Sequence, residues 1–211
     1  MTLVAVAGTG TDVGKTYVSA ALLQMLRARG CEVSAHKPVQ SFAEGDTATD
    51  ADVLARATGA APTDVCPQHR WLPLPMAPPI AAEALGLPPF TIADLAAELR
   101  TSIGNNPAAL VETAGGVRSP VAADGDCVAL IDALTPALVL LVADAGLGTI
   151  NLVRMSRDAL WKQHSVVVYL NRFDDHDDLH RRNANWLRTR EELPVVTDIE
   201  ALTALVEPVV R

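Results

Sequence analysis

The sequence predicts an α/β fold in which a mostly parallel central sheet is flanked by helices, giving three layers. Strand-like apolar runs alternate with helical segments along the chain, and a glycine-rich turn joins the first strand directly to the first helix. Polar or glycine-rich residues follow most of the apolar runs, as expected where parallel strands end beside a ligand. We expect the 211 residues to form one domain, 1–211, around one core.

The strands are predicted from short apolar runs, and the helices from longer stretches with apolar residues at helical spacing. Strands are predicted at Thr2–Ala7, Cys31–His36, Ala108–Val111, Ala137–Ala143 and Ser165–Leu170, with a short one near Val195. Helices are predicted at Lys15–Arg29, Asp50–Ala57, Pro79–Leu85, Ile92–Ile103, Cys127–Leu134, Thr149–Gln163 and Asp178–Glu191, followed by a last helix. Gly30 is expected to close the first helix, because glycine readily adopts the left-handed conformation found there. Residues 63–79 are interpreted as a Pro-rich connection.

The first strand and helix enclose a turn that ends in Gly14-Lys15-Thr16. Such a turn lets backbone N–H groups converge on an anion, and the helix N-terminus adds its dipole. Lys15 is expected to neutralise the β- and γ-phosphates of a nucleotide, and the Thr16 hydroxyl to hold Mg²⁺. The loop is one residue longer than the common Walker A motif, because five residues separate Gly8 from Gly14. The alternative is a glycine-rich turn with a chance Gly-Lys-Thr.

Two carboxylates are candidates to complete the Mg²⁺ site, since this ion prefers one or two carboxylates beside a hydroxyl and phosphate oxygens. Glu112 ends an apolar strand, and Asp50 follows an acidic segment. A surface position or a helix N-cap is the alternative for Glu112, and an N-cap is the alternative for Asp50. The chain has three lysines, and two of them, Lys15 and Lys37, follow predicted strands. This placement favours a need for compact positive charge there.

Composition excludes several classes of protein. The net charge of −8 and the lack of a dense basic stripe argue against a nucleic-acid partner. No apolar run reaches the length of a membrane span, and the chain begins directly with a predicted strand rather than a signal peptide. The three cysteines are widely spaced, so they are expected to be reduced thiols of a cytoplasmic protein.

Four motifs together resemble the dethiobiotin synthetase family, a branch of the P-loop NTPases. They are Gly8-Thr9-Gly10-Thr11-Asp12-Val13-Gly14-Lys15-Thr16, Lys37-Pro38-Val39-Gln40-Ser41, Val111-Glu112-Thr113-Ala114-Gly115-Gly116 and Gly148-Thr149-Ile150-Asn151. The long phosphate loop is typical of that family. The resemblance covers about residues 1–171 and implies a cyclo-ligase that closes a ureido ring on 7,8-diaminononanoate with CO₂, using ATP and Mg²⁺. A carbamate and then a mixed carbamic-phosphoric anhydride are the implied intermediates.

The resemblance also implies roles for single residues. Catalytic roles fall to Lys37, Lys15 and Thr11, and metal binding to Thr16, Asp50 and Glu112. Nucleotide contacts are implied for Gly10, Thr11, Asp12, Val13, Gly14, Lys15, Thr16, Tyr17 and Asn171, the last reading adenine. Substrate contacts are implied for Thr11, Lys37, Ser41, Pro79, Gly148, Thr149 and Asn151. Alternatives remain at four of these positions, since Thr11 and Ser41 could form turns, Lys37 could extend to solvent, and Asn171 could be an ordinary loop residue.

In the family, residues matching 148–151 hold the substrate carboxylate from a second subunit, which implies a homodimer with sites at the interface. The segment Met76-Ala77-Pro78-Pro79 matches a wall beside the substrate's alkyl chain. The chain departs from the family at Thr113, where a glycine is expected near the phosphates, and after Asn171.

Other interpretations belong to different classes of protein. A P-loop ATPase switch of the partitioning or carrier type is the main alternative, although such switches usually carry an additional lysine near Thr9 or Gly10, and none is present here. A related ligase for another amine and a paralogue that binds nucleotide without turnover are further alternatives. His176 and His180 could belong to a metal cluster, but an acidic helix start is favoured for that segment.

Overall fold

The computed structural model describes residues 1–160 and 164–211. The strands are β1 (Thr2–Gly8), β2 (Val33–His36), β3 (Gln40–Ser41), β4 (Trp71–Leu72), β5 (Ala108–Glu112), β6 (Pro120–Ala122), β7 (Gly125–Asp126), β8 (Leu138–Asp144), β9 (Val166–Asn171) and β10 (Val195–Val196). The helices are α1 (Lys15–Ala28), α2 (Asp50–Thr58), α3 (Pro62–Val65), α4 (Pro78–Ala84), α5 (Ile92–Ile103), α6 (Cys127–Leu134), α7 (Thr149–Leu160), α8 (Asp178–Thr189) and α9 (Ile199–Val210). None of the helices in these two ranges is long and apolar enough to cross a bilayer.

Six strands form one sheet in the order β10-β9-β8-β1-β5-β2, and every neighbouring pair is parallel. The predicted α/β class with a mostly parallel sheet is therefore confirmed. Because the strands are parallel, their carboxyl ends meet at one edge, and the phosphate loop, Lys37 and Glu112 all follow or end strands at that edge.

The sheet is covered on both faces, which explains why its strands are apolar along their whole length. Alternate residues of β1 face opposite cores: Val4 and Val6 contact one cluster, and Ala5 contacts the other. The first cluster contains the buried faces of α1, α2 and α9. The second contains those of α4, α5, α6, α7 and α8.

The predicted bounds of α5 and α6 match the structure, and most others differ by one or two residues. The second strand begins at Val33 rather than Cys31, because the Cys31 N–H still bonds the Leu26 carbonyl and so belongs to the end of α1. Gly30, with φ +82°, closes that helix as expected. Residues 161–163, the end of the predicted helix 149–163, lie outside the described residues.

The Pro-rich connection contains more structure than the sequence predicted. It includes α3, a 3-10 turn at Gln68–Arg70 and β4, and β4 pairs in parallel with β3. Strands of two residues are too short to show a period of two, so hydrophobic patterning does not detect them. Their pairing places Ser41 beside the segment that leads into α4.

Candidate active site

The phosphate loop is held in shape by contacts that only glycine allows. Gly14 precedes α1 with φ +92°, and a Cβ atom at this position would lie 2.0 Å from the amide nitrogen of Asn171. That nitrogen donates a hydrogen bond of 3.0 Å to the Val13 carbonyl. Asn171 therefore braces the loop from the end of β9, and its expected contact with adenine stays a prediction.

Lys15 lies at the start of α1 and is buried, with 8% of its surface exposed. Its Nζ donates to the Gly10 carbonyl at 3.1 Å, so the side chain folds back over the loop. Burial, and then the charge of Lys37, lower the pKa of Lys15 below its ordinary value. A negatively charged ligand in the loop would compensate this unfavourable burial of positive charge.

Three oxygen atoms converge one residue further along α1. The Thr16 Oγ1 atom lies 2.8 Å from Asp50 Oδ1 and 2.9 Å from Glu112 Oε1. Glu112 ends β5 and is fully buried, so it is not a surface carboxylate. Asp50 is the first residue of α2, and its side chain is free to reach Thr16 because Thr49 caps that helix with Asp52.

Lys37 ties the two carboxylates together. Its Nζ lies 2.5 Å from Asp50 Oδ2 and 2.8 Å from Glu112 Oε1, and only 2% of its side chain is exposed. Burial alone would lower the pKa of Lys37, but the charges of Glu112 and Asp50 outweigh it and raise the pKa. The ammonium is therefore a permanent cation held inside the site rather than a side chain extending to solvent.

The oxygen cluster fits a divalent cation. A hydroxyl has one hydrogen, so Thr16 cannot donate to Asp50 and Glu112 at the same time, and one carboxylate oxygen then faces the Thr16 oxygen without a hydrogen between them. Two carboxylates and a hydroxyl are the ligands that Mg²⁺ prefers. A cation coordinated by these three oxygens would remove the conflict.

Ser19, which the sequence analysis did not identify, completes the buried end of this cluster. Its hydroxyl donates to Glu112 Oε2 at 2.8 Å, and the residue is fully buried. Ser19 follows Thr16 by three residues, so the two face the same side of α1. That spacing in the sequence was the available signal.

These side chains line or adjoin a cavity of about 770 Å³ at the carboxyl edge of the sheet. Its lining includes eight residues named from the sequence: Thr11, Asp12, Gly14, Lys15, Thr16, Lys37, Ser41 and Asp50. Six others, Gly10, Val13, Tyr17, Glu112, Pro79 and Asn171, are close to it in the chain or bonded to its lining, but are not part of it. The structure thus brings together residues up to 158 positions apart.

Three of the four residues predicted to form a wall against an alkyl chain line the cavity, and that role stays a prediction. Met76, Ala77 and Pro78 line the cavity, whereas Pro79 lies one residue further into α4. The Ser41 hydroxyl donates to the Met76 carbonyl at 2.7 Å, which joins β3 to this segment. Phe42 adds an aromatic side chain to the lining and contacts Trp71 edge to face.

Residues 148–151 lie at the start of α7 and do not line this cavity. Gly148 has φ +94°, and Asn151 is exposed. The Thr149 hydroxyl is buried and has no hydrogen-bond partner in the described part of the chain. Leu147 beside them is 89% exposed. Their expected contact with a substrate held by another subunit stays a prediction.

Two further residues of the lining were given no role in the site from the sequence. Arg172, with φ +56°, donates to the Asp12 carbonyl and to Asp144 Oδ2, each at 2.8 Å, and so connects the phosphate loop to the end of β8. The second is Gln40, which is buried and lies between Lys37 and Ser41 in the sequence.

Thr113, expected near the phosphates, is turned away from the cavity. It is fully buried, and its hydroxyl and N–H both bond the Val6 carbonyl of β1, at 3.2 and 2.9 Å. The side chain is therefore anchored on β1 and does not line the cavity.

The acidic segment after Asn171 is a helix start, as favoured from the sequence. Asp177 caps α8, and His180 accepts a hydrogen bond from the Asp174 N–H. Asp174, Asp175 and His176 come close enough to share a cation, but all three are exposed and lie outside the cavity.

A sequence-family model described as an AAA domain matches residues 2–209. The ATP-dependent dethiobiotin synthetase of Caulobacter vibrioides is 46% identical over 150 residues, covering 68% of this chain and 67% of that protein. The ATP-dependent dethiobiotin synthetase of Rhodococcus erythropolis is 36% identical, and the match covers 76% of this chain and 70% of that protein. That of Streptomyces avermitilis is 39% identical, and the match covers 74% of this chain and 64% of that protein. The matched region thus spans about two thirds of each relative.

Among solved structures, the signal recognition particle receptor FtsY of Elizabethkingia anophelis superimposes with a TM-score of 0.57. It is 14% identical, and the match covers 100% of this chain and 65% of that one. Chloroplast FtsY of Physcomitrella patens superimposes with a TM-score of 0.55 at 16% identity, and the match covers 96% of this chain and 64% of that one. At this identity, both show a shared fold and nothing further.

Proposed function

The chain belongs to the dethiobiotin synthetase family, and we propose that it catalyses ATP-dependent closure of a ureido ring on 7,8-diaminononanoate with CO₂. The observation that carries this proposal is the buried Lys37, held between Asp50 and Glu112 beside the phosphate loop. A P-loop switch has no need of a permanent cation where its nucleotide would meet a small substrate. The family relationship supports the same choice.

In this proposal Lys15 and the loop amides bind the triphosphate, because the N–H groups in the first turn of a helix have no helical partner. Lys37 holds the carbamate oxygen that attacks the γ-phosphate, and its compact charge can follow the transferred group. Thr11 and Ser41 orient the amines by hydrogen bonding, while Met76 and Pro78 exclude water from the alkyl chain.

Thr16, Asp50 and Glu112 would hold Mg²⁺, which when bound neutralises charge on the phosphate oxygens. Ser19 positions Glu112 by occupying its second oxygen, which leaves Oε1 directed at Thr16. Tyr17 and Asn171 would flank the nucleotide.

We further propose a cytoplasmic homodimer in which residues 148–151 of a second copy bind the substrate carboxylate. The exposure of Leu147 (89%), Met155 (65%) and Leu152 (44%) supports this, since such an apolar patch at the start of one helix is typical of an interface. Gly148 and Thr149 begin that helix, where backbone N–H groups favour an anion.

The test supplies purified protein with diaminononanoate, bicarbonate, Mg²⁺ and ATP, and detects dethiobiotin by mass spectrometry. Lys37→Ala should abolish the product, whereas Arg56→Ala, which removes an exposed cation of α2, should retain it. Circular dichroism verifies that both variants fold. Lack of product from the wild-type protein, or ATP hydrolysis indifferent to the diamine, would overturn the proposal.

A further inference from the structure

Gln40 carries a hydrogen-bond donor that the fold leaves unused. The residue is 1% exposed and lines the cavity between Lys37 and Ser41 of the same motif. Its Nε2 atom is buried and has no hydrogen-bond partner within residues 1–160 and 164–211. A buried donor without an acceptor is costly, so a folded protein retains one where a ligand or a water supplies the acceptor.

The orientation of this amide is fixed by the other side of the group. The Ala51 backbone N–H donates to Gln40 Oε1 at 3.0 Å, and an N–H group requires an acceptor. The oxygen must therefore face the Ala51 N–H, and the nitrogen, the other group on the same planar carbon, must point away from it. The unused donor is thus a consequence of the contact with Ala51 rather than of a free choice between two orientations.

The surroundings identify what the donor can bind. Ala51 follows Asp50, whose carboxylate is bonded to Lys37 and to Thr16, so the amide lies at the end of the cavity where Lys37 meets the two carboxylates. A protonated amine cannot be the partner, because it is itself a donor. An anionic oxygen can, and the proposed reaction brings one to this end when the amine is carboxylated.

We propose that Gln40 is a substrate-binding residue whose Nε2 donates a hydrogen bond to an oxygen of the carbamate. This inference rests on the proposed function. The positive charge of Lys37 attracts the carbamate. The Gln40 amide orients it, because a planar amide that is fixed at one end can donate a hydrogen bond in few directions.

Two variants distinguish the effect of losing the Nε2 donor from the effect of losing the hydrogen bond between Gln40 Oε1 and the Ala51 N–H. Gln40→Glu keeps an oxygen for the Ala51 N–H and replaces the donor by an acceptor of the same shape. Gln40→Met keeps the volume and removes both groups. Gln24→Met, on the exposed side of α1, is the matched control.

Steady-state kinetics at saturating ATP and Mg²⁺ should give a kcat/KM for diaminononanoate lowered about tenfold to a hundredfold in Gln40→Met, the usual effect of a lost hydrogen bond to a charged group. Gln40→Glu should lose at least as much, because its carboxylate repels the carbamate. The KM for ATP should stay within about twofold in both, and Gln24→Met should match the wild type.

Kinetics of Gln40→Glu within twofold of wild type would overturn the inference and assign the donor to a structural water. An equal loss for ATP would overturn it too, by placing the residue at the nucleotide. Dethiobiotin formation by the wild type and by Gln24→Met shows that the proposed function holds, and so distinguishes either result from its failure. If neither protein forms dethiobiotin, the proposed function is overturned and this inference with it.

Discussion

Lys37→Met should destabilise the protein even without any ligand. The substitution removes a buried cation and leaves the carboxylates of Asp50 and Glu112 facing each other across Thr16. Breaking a buried ion pair from one side costs about 3–5 kcal/mol. Asp50 is 42% exposed, so water screens part of this penalty, and we expect the lower end, about 3 kcal/mol.

Lys15→Met provides the contrast, because the two lysines are both buried but differently paired. Lys15 bonds one carbonyl and faces the charge of Lys37, and burial lowers its pKa. Its charge therefore opposes folding, so Lys15→Met should leave the stability unchanged or raise it at pH 7.

The two lysines also predict opposite changes of the free energy of unfolding as the pH rises towards and above 10.5. The pKa of Lys37 is raised above its ordinary 10.5, so its contribution is fully present below that pH and is lost as the pH rises above it. The pKa of Lys15 is lowered, so between its folded value and 10.5 the unfolded chain binds more protons, and stability rises with pH. Each variant should abolish its own slope.

Urea unfolding followed by circular dichroism, at pH 7 and at steps up to pH 11, measures both effects. A loss of about 3 kcal/mol corresponds to roughly 6–12 °C in melting temperature for a chain of this size. Adding Mg²⁺ should raise the melting temperature of Lys37→Met more than that of the wild type, because the ion can replace the ammonium between the carboxylates. Equal stability of Lys37→Met and the wild type at pH 7 would refute this account of the cluster.

Other predictions concern residues around the site. Ser19→Ala should weaken Mg²⁺ binding, measured by calorimetry, and lower stability by about 1–3 kcal/mol, since one buried oxygen of Glu112 loses its donor; unchanged affinity would show that Glu112 holds its position unaided. Thr113→Gly should not raise turnover and should lower the melting temperature, because the side chain faces β1; faster turnover would contradict that orientation. Burial lowers the pKa of His36 from 6.5 to about 4, so the wild type should lose up to about 3 kcal/mol as the pH falls through this window, and His36→Gln should flatten the slope of ΔG against pH. Leu147→Glu should convert the proposed dimer to a monomer in analytical ultracentrifugation, and a persistent dimer would place the interface elsewhere.

The sequence predicted the sheet and its helices well, because local signals specify them. Apolar runs mark β1, β5, β8 and β9, and the caps of α5 and α6 fall where the periodicity begins. The elements it missed are all short: the strands β3, β4, β6 and β7, the helix α3 and the 3-10 turn. Strands β3 and β4 pair from distant segments, whereas β6 and β7 pair with each other in a tight hairpin. Short pairings of this kind leave no periodicity to detect.

In the site, motifs identified the lysines, the carboxylates and the hydroxyls of the loop, while geometry added three further residues. Lys37 and Glu112 stand out as charges at the ends of apolar strands. Gln40, Ser19 and Arg172 gain their importance from contacts made across 11, 93 and 160 residues. Only Ser19 left a signal in the sequence, its helical spacing from Thr16. The orientation of Thr113 was likewise open, because a residue after a strand can turn to either face.

The position of Glu112 shows how the apolar core specifies the site. In β5, Leu110 faces the cluster beneath α1 and Val111 faces the opposite cluster, so Glu112 returns to the α1 side, where Thr16 and Ser19 meet it. The pairing of Val6 with Glu112 sets the position of Glu112 along the strand direction, because Val6 lies two residues before β1 ends at the loop. A slip of β5 by one residue would direct the carboxylate to the wrong face. Packing of Leu110 and Val111 excludes that slip, so the same apolar alternation that stabilises the sheet also places the carboxylate that we propose binds Mg²⁺.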